Sequence, residues 1–191
     1  MKVIIVTGTP GTGKTTLSKK LAGKLNFYYL DVNEFVIKNK LYDGYDRKRK
    51  TRIVDVNKLN KALVNEILSI KREASMRRFN KNKLIKNKKS EDIENKKIKN
   101  GIIIDSHLSH YLPSKHVDLC IVTKCDLKEL RKRLKKKKYD QLKIRENLDA
   151  EIFDICLNEA KENGHKLIVI DTTKGININA VSKKVGGLIG I

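Results

Sequence analysis

The chain has 191 residues, 39% of them hydrophobic and 34% charged, with 43 Lys and Arg against 22 Asp and Glu, a formal net charge of +21. This length predicts one domain able to build its own core, and no apolar run approaches the ~20 residues that span a bilayer, which excludes a membrane-spanning protein. Three cysteines, Cys120, Cys125 and Cys156, are odd in number and lack paired spacing, so a disulfide framework is not expected and a reducing, cytoplasmic setting is.

The basic excess favours polyanionic partners such as nucleic acid, the alternative being lysines that only decorate solvated faces. Aromatics make up 5% and Trp is absent, so a stacking platform for single strands is not indicated.

Val3-Ile4-Ile5-Val6 is a short β-branched run ending at Thr7-Gly8 and predicts a buried parallel strand. Next comes Gly8-Thr9-Pro10-Gly11-Thr12-Gly13-Lys14-Thr15, which satisfies the P-loop pattern G-x-x-x-x-G-K-[ST] at every fixed position. The chemistry requires these residue types. Gly8, Gly11 and Gly13 let backbone N–H groups turn toward phosphate oxygens, and the positive end of the following helix points at the same oxygens. Lys14 is placed for the β- and γ-phosphates, Thr15 for Mg²⁺ and Thr16 for the α-phosphate. Leu17, Leu21 and Leu25 give a helix over 14–25 one apolar face.

A second strand is predicted over 27–30, then a helix from 56 to about 76 with Leu59, Leu63, Ile67 and Ile70 on one face. Residues 71–100 depart from this pattern, carrying 12 Lys/Arg and 4 Asp/Glu, a net +8, with few apolar residues. Their first part is expected to prolong the helix. The remainder is too polar to offset its ordering entropy and is expected to be an extended or mobile insertion.

Ile102-Ile103-Ile104-Asp105 is an apolar strand ending in a carboxylate. At the carboxyl edge of a parallel sheet, Asp105 would stand beside the P-loop and hold Mg²⁺ directly or through water. His107, two residues on, is a candidate to orient or deprotonate a water near the γ-phosphate; the alternative is a loop histidine bonded to backbone. His107 and His110 with Cys120 and Cys125 show no zinc spacing.

Two more strands are predicted over 117–122 and 167–170, and a basic block over 131–138 carries a sparse Leu127, Leu130, Leu134 stripe. Strands and helices alternate, which predicts a parallel α/β sheet.

The P-loop, then Leu41-Tyr42-Asp43-Gly44-Tyr45-Asp46, Asp105-Ser106-His107-Leu108-Ser109-His110 and Glu146-Asn147-Leu148-Asp149-Ala150-Glu151-Ile152-Phe153 follow one another in that order. In this arrangement the chain resembles the adenylate kinase isoenzyme 6 family, small P-loop kinases and ATPases tied to small-ribosomal-subunit maturation. The resemblance covers nearly the whole chain apart from the basic insertion.

It implies an α/β P-loop NTPase fold of the nucleoside monophosphate kinase type, a five-stranded parallel sheet with helices on both faces. It further implies a monophosphate-binding segment over about 32–55 and a lid over about 136–146. Asp105 and His107 would form the family's acidic-strand pair, with His107 needed for phosphoryl chemistry or hydrolysis, and Lys174 would pack near the adenine. The implied cofactors are ATP and Mg²⁺. The implied partners are AMP or another nucleoside monophosphate, a small-subunit ribosomal protein and, through the basic insertion, rRNA.

Two departures stand out. Where the family lid reads Arg-Gly-Tyr, this chain has Lys137-Lys138-Tyr139, leaving Lys137 to supply charge and Arg133 or Arg145 as candidates for the planar fork. Where the family has a short connection, this chain has the 71–100 insertion. Arg47, Arg49 and Arg52 are candidate clamps on the monophosphate. A P-loop kinase of another small acceptor, such as shikimate, with no ribosomal role is the rival reading.

Overall fold

The computed structural model describes residues 1–47, 49, 51–86 and 99–191. In chain order the elements are β1 (Lys2–Thr7), α1 (Lys14–Leu25), β2 (Tyr28–Asp31), α2 (Val32–Lys38), β3 (Gly44–Asp46), β4 (Thr51–Ile53) and α3 (Val56–Lys86). There follow β5 (Gly101–Asp105), β6 (Leu119–Lys124), α4 (Leu127–Lys136), α5 (Gln141–Ile152), α6 (Ile155–Glu162), β7 (Leu167–Asp171) and α7 (Ile178–Ile189).

Five strands form a parallel sheet in the order β2-β5-β1-β6-β7, and β3 and β4 make a separate antiparallel hairpin. β1 lies at the centre, paired with β5 through Val6–Asp105 and with β6 through Thr7–Val122. Because strand order reverses there, the carboxyl end of β1 is where the sheet opens a crevice.

Side chains alternate across the strands and fill both faces. Val3, Ile5, Ile102 and Ile104 pack with Leu59, Leu63 and Ile67 of α3 and Val32 and Val36 of α2 on one face. Ile4, Val6, Ile103 and Ile121 pack with Leu17 and Leu21 of α1 and Val181 and Val185 of α7 on the other. A smaller cluster, Leu130 and Leu134 of α4 with Ile144 of α5, joins the stretch expected to form a lid to the rest.

Some expectations need adjustment. The third helix runs to Lys86, so the first part of the 71–100 stretch prolongs it as expected, past the end near 76 that the apolar stripe alone marks. The extended part of the insertion expected over 71–100 falls on 87–98, outside the described residues. The strand predicted from residue 117 starts at Leu119, because Val117 and Asp118 still close the loop, with the Asp118 N–H bonded to the Val3 carbonyl at 2.8 Å. Phe27 is a buried core residue just ahead of β2, its ring where a Cβ on Gly101 would collide at 2.3 Å. The stretch expected to form a lid, about 136–146, comprises the end of α4, the turn 137–140 and the first residues of α5.

Candidate functional site: a cationic cavity over the P-loop

Residues 8–13 link β1 to α1 at the sheet's carboxyl edge. At Gly8 (φ 136°) an added Cβ would lie 2.5 Å from the Thr123 carbonyl oxygen, and at Gly11 (φ 97°) 2.8 Å from Leu130, so neither position accepts a side chain without a shift. Buried threonines brace the loop: Thr12 Oγ1 donates to the Thr9 carbonyl at 2.8 Å and meets Thr123 Oγ1 at 2.6 Å, and Thr172 Oγ1 donates to the Thr12 carbonyl at 2.6 Å.

Helix starts reveal the loop's purpose. Asp31, Asp126, Asp140 and Asn177 cap α2, α4, α5 and α7 with side-chain acceptors; α6, behind Asp154, and α1, behind Gly13, have no side-chain cap, and of these two α1 starts at the cavity. Its first-turn N–H groups are therefore open to an external anion.

Lys14 Nζ turns back to donate to the carbonyls of Gly8 at 2.7 Å and Thr9 at 3.0 Å. Burial lowers its pKa to about 8, against the raising influence of the Cys156 thiol and Asp105. Asp105, at the end of β5, is 3% exposed. Burial raises its pKa, opposed by a hydrogen bond from the Thr15 hydroxyl, by Lys14 and by the Tyr29 hydroxyl. Tyr29, which sequence patterning did not single out, donates to Asp105 at 3.1 Å and to Asp31 at 3.3 Å, and so ties together the ends of two neighbouring strands.

Around these groups lies a cavity of about 770 Å³, lined by Gly11, Gly13, Lys14, Thr15, Thr16, Asp105, His107 and Lys137 among the expected site residues. Lys174 does not line it. That residue is exposed in the turn after β7, beyond Thr172 and Thr173. Of the three candidate clamps only Arg49 reaches the cavity, bonded to Glu146 at 3.2 Å and paired with Asp46 at 3.6 Å. Arg47 is not part of the lining, and Arg52 stacks over the Tyr42 ring instead.

The two candidates for the fork also resolve differently. Arg133 lines the cavity, but its guanidinium is committed to Glu129, the Thr172 hydroxyl and the Thr172 and Thr173 carbonyls. Arg145 points outward, 84% exposed, beside Asp149. Lys143, Asn33 and Thr51, not singled out from the sequence, also line the wall, as do Lys136, from the edge of the expected lid, and Asn147, from the Glu146-Asn147 motif. The i,i+4 spacing of Lys143 and Asn147 on one helical face was the available signal.

His107 opens onto the cavity, yet protein crowds the ring, and that crowding with Lys14, His110 and Lys143 lowers its pKa to about 4. Its imidazole is thus neutral at pH 7, with a lone pair to offer. His110 faces away from the cavity, with its ring nitrogens on Thr7 and Glu159.

The residues fit a magnesium–triphosphate ligand. Open N–H groups and Lys14 meet phosphate, while Thr15 and the buried Asp105 carboxylate supply hard oxygens suited to Mg²⁺ or its waters. A parallel sheet of this strand order, with a P-loop at its switch point and helices on both faces, defines a P-loop NTPase of the nucleoside monophosphate kinase type. In agreement, a family model described as an AAA domain matches residues 4–154.

Solved structures with this fold include a sugar kinase from Janibacter sp. (TM-score 0.56, 13% identity, covering 100% of this chain and 95% of that one). Another is a shikimate kinase from Acinetobacter baumannii (TM-score 0.51, 14% identity, covering 99% and 93%).

Sequence kinship narrows the class. The adenylate kinase isoenzyme 6 homologue of Dictyostelium discoideum is 30% identical over 88% of this chain and 79% of its own length, and that of Saccharomyces cerevisiae is 33% identical over 94% and 76%. The chain belongs to the adenylate kinase isoenzyme 6 family and is a phosphotransferase by kinship.

Proposed function

We propose that the chain transfers the γ-phosphoryl group of ATP to AMP, with broader nucleoside monophosphates as secondary acceptors and water as a competing one. The observation that carries this reading is the geometry at the end of β1, where an uncapped helix start, Lys14, and the Thr15–Asp105 pair converge on one cavity.

Lys14 is held on two backbone carbonyls, and a phosphate oxygen is a stronger partner for an ammonium than either. Thr15 and Asp105 would hold Mg²⁺, which supplies charge neutralisation on the β- and γ-phosphates. Lys137, Lys136 and Lys143 bring further positive charge from the opposite wall, and Arg49 is the arginine positioned to meet an acceptor phosphate. Little covalent chemistry is asked of the protein: alignment and fixed charge account for most of the stabilisation. His107, neutral at pH 7, offers both kinds of contact: its bare nitrogen accepts from an attacking water, and its N–H donates to an acceptor phosphate oxygen. Lys174 belongs near the adenine by the family pattern, in the turn after β7 whose Thr172 hydroxyl bonds the Thr12 carbonyl of the P-loop.

A role in small-subunit assembly, through a ribosomal protein and rRNA, is supported by the family resemblance and by the +21 charge. Binding to rRNA fragments should weaken steeply as salt rises; a flat response counts against RNA contact.

The deciding measurement is a coupled assay of magnesium-dependent turnover with AMP, CMP, dAMP or water as acceptor. Fastest turnover with AMP is expected. Turnover with none of these, or absence of magnesium-dependent ATP affinity by calorimetry, overturns the reading.

A further inference from the structure

Behind the P-loop, on the side away from the cavity, lies a buried polar chain that phosphate binding does not use. Thr7, the last residue of β1, is fully buried, and so are Ser109 and His110. The His110 ring stands between two partners: Nδ1 lies 2.7 Å from Thr7 Oγ1, and Nε2 lies 2.9 Å from Glu159 Oε2 on α6. Glu159 is itself fixed by the Tyr111 hydroxyl, which donates to Oε1 at 2.9 Å, and the His110 carbonyl accepts from His165 Nε2 at 2.8 Å. A second acceptor lies within reach of the Thr7 hydroxyl, the backbone carbonyl of His107 at 3.5 Å.

These distances determine where each hydrogen goes. The Glu159 carboxylate accepts, so Nε2 of a neutral His110 carries the proton and Nδ1 is bare. Thr7 must then donate its only hydroxyl hydrogen to Nδ1, and the His107 carbonyl receives none from it. When His110 takes up a proton, Nδ1–H becomes a donor to Thr7 Oγ1. The Thr7 hydrogen is then released to the His107 carbonyl. One hydrogen therefore reports the state of His110 to the loop that presents His107. That loop is otherwise anchored to β1 by the Ser106 N–H on the Val6 carbonyl at 3.2 Å, and braced within itself by the Ser109 hydroxyl on the Ser106 carbonyl at 2.8 Å and the Leu108 N–H on Ser106 Oγ at 3.0 Å.

We infer that His110 is a positioning residue for His107: with Glu159 orienting its ring, it decides whether the Thr7 hydroxyl, at the end of β1, gives its hydrogen to the His107 carbonyl. The importance of His107 in turnover rests on the function proposed above; the hydrogen-bond coupling does not. The charged and titratable groups facing His110 are Glu159 and the neighbouring His165 on the α6 side, Tyr111 in its own turn, and Lys14 and His107 on the P-loop side. Burial, His165 and Lys14 oppose protonation of His110 and Glu159 favours it, with burial the largest influence, so the change of state falls below the ordinary histidine range.

The test has two arms. In the first, nuclear magnetic resonance of histidine-labelled, nucleotide-free protein follows the His110 ring and the His107 carbonyl carbon through a pH titration. The His107 carbonyl is expected to shift with the midpoint of the His110 ring. In Thr7→Val that coupling disappears while His110 still titrates, and Thr7→Ser, which keeps the hydroxyl, restores it. A His107 carbonyl that follows the His110 midpoint equally well in Thr7→Val overturns the inference.

In the second arm, kcat at saturating ATP is followed across the His110 transition: wild type and Thr7→Ser show a step at the His110 midpoint that Thr7→Val and His110→Gln both lack, with KM for ATP unchanged. No step in wild type, a step that persists in Thr7→Val, or one missing from Thr7→Ser overturns the positioning role. Should His110→Gln fail to fold, the Thr7→Val and Thr7→Ser pair carries both arms. Full turnover in His107→Ala would defeat the role given to His107 under the proposed function while leaving the resonance result standing, so the two failures are distinguishable.

Discussion

The P-loop wall of the cavity and the wall opposite, built from α5 and the β3–β4 hairpin, both present cations to the same space but are held in unlike ways. On the P-loop side the supporting groups are buried and mutually bonded: Thr7, Thr9, Thr12, Thr123 and Thr172 are each at most 2% exposed. On the other side Arg49 is 60% exposed, tied across the gap by Glu146, and Lys143 Nζ donates to the Arg49 carbonyl at 2.9 Å. The first wall is fixed by sterics and a closed hydrogen-bond network, the second by exposed ion pairs that solvent and salt weaken. Substitutions should therefore be all-or-none on the first wall and graded on the second.

The largest effect is expected at Lys14. Lys14→Ala should reduce turnover by at least roughly 1000-fold, removing the positive charge aimed at the transferring group; unchanged turnover would place the chemistry elsewhere. The same lysine gives a pH signature. Its pKa of about 8 in the nucleotide-free protein lies below the ordinary 10.5 of a lysine in water. Between those two values the unfolded chain holds a proton that the folded chain lacks, so this group's contribution to stability rises with pH across that window. A bound triphosphate favours the charged ammonium, so binding near pH 9 should take up about one proton per nucleotide. Calorimetry in buffers of different ionisation enthalpy measures this uptake, and Lys14→Met should abolish it.

Next in size is Asp105→Asn, which keeps the shape and the Tyr29 contact but removes the charge. It should lower kcat roughly 100-fold and flatten the magnesium dependence of ATP affinity. An unaltered magnesium titration would remove Asp105 from the metal site.

Smaller again is Arg49→Ala on the opposite wall. KM for AMP should rise roughly 10-fold, the lower range for loss of one charge-assisted contact, with kcat nearly unchanged, and the difference from wild type should shrink as salt is raised. An equally large effect at 0.5 M salt, about three times the ionic strength of a physiological buffer, would show that Arg49 is not held as a surface ion pair.

The two walls also differ in how legible they were. The P-loop is read from eight contiguous residues because its function depends on local backbone geometry, and Asp105 is read from a strand end because parallel sheets deliver such residues to one edge. Tyr29 was invisible, since its role arises only from the register that sets Asp31 opposite Asp105. Arg133, one of two candidates for the phosphate fork, lines the cavity but is bonded to the carbonyls of Thr172 and Thr173, some forty positions away, which no local reading shows. Arg49 could be separated from Arg47 and Arg52 only by the hairpin's placement against α5. Local chemistry is written in neighbouring residues; the second wall is written in distant ones.

The smallest effect concerns the turn within the expected lid, and it sharpens the contrast, because here the exposed wall carries backbone strain. α4 ends with the Lys138 N–H on the Lys135 carbonyl at 2.9 Å and the Tyr139 N–H on the Leu134 carbonyl at 3.3 Å, while Tyr139 packs against Leu134. That pattern is a Schellman turn, whose residue after the cap favours glycine. Lys138 occupies that position at φ 57°, where the family pattern has glycine. A Cβ in the left-handed region costs about 1 kcal/mol or slightly more. Lys138→Gly should therefore stabilise the protein by about 1 kcal/mol, partly offset by the greater freedom of glycine in the unfolded chain, and raise Tm by roughly 2–4 °C. Differential scanning calorimetry measures it. The charge facing nucleotide is carried by Lys136, Lys137 and Lys143, all of which line the cavity whereas Lys138 does not, so KM for ATP should stay as it was. A lowered Tm would mean that Lys138 contributes more through its side chain than its backbone conformation costs.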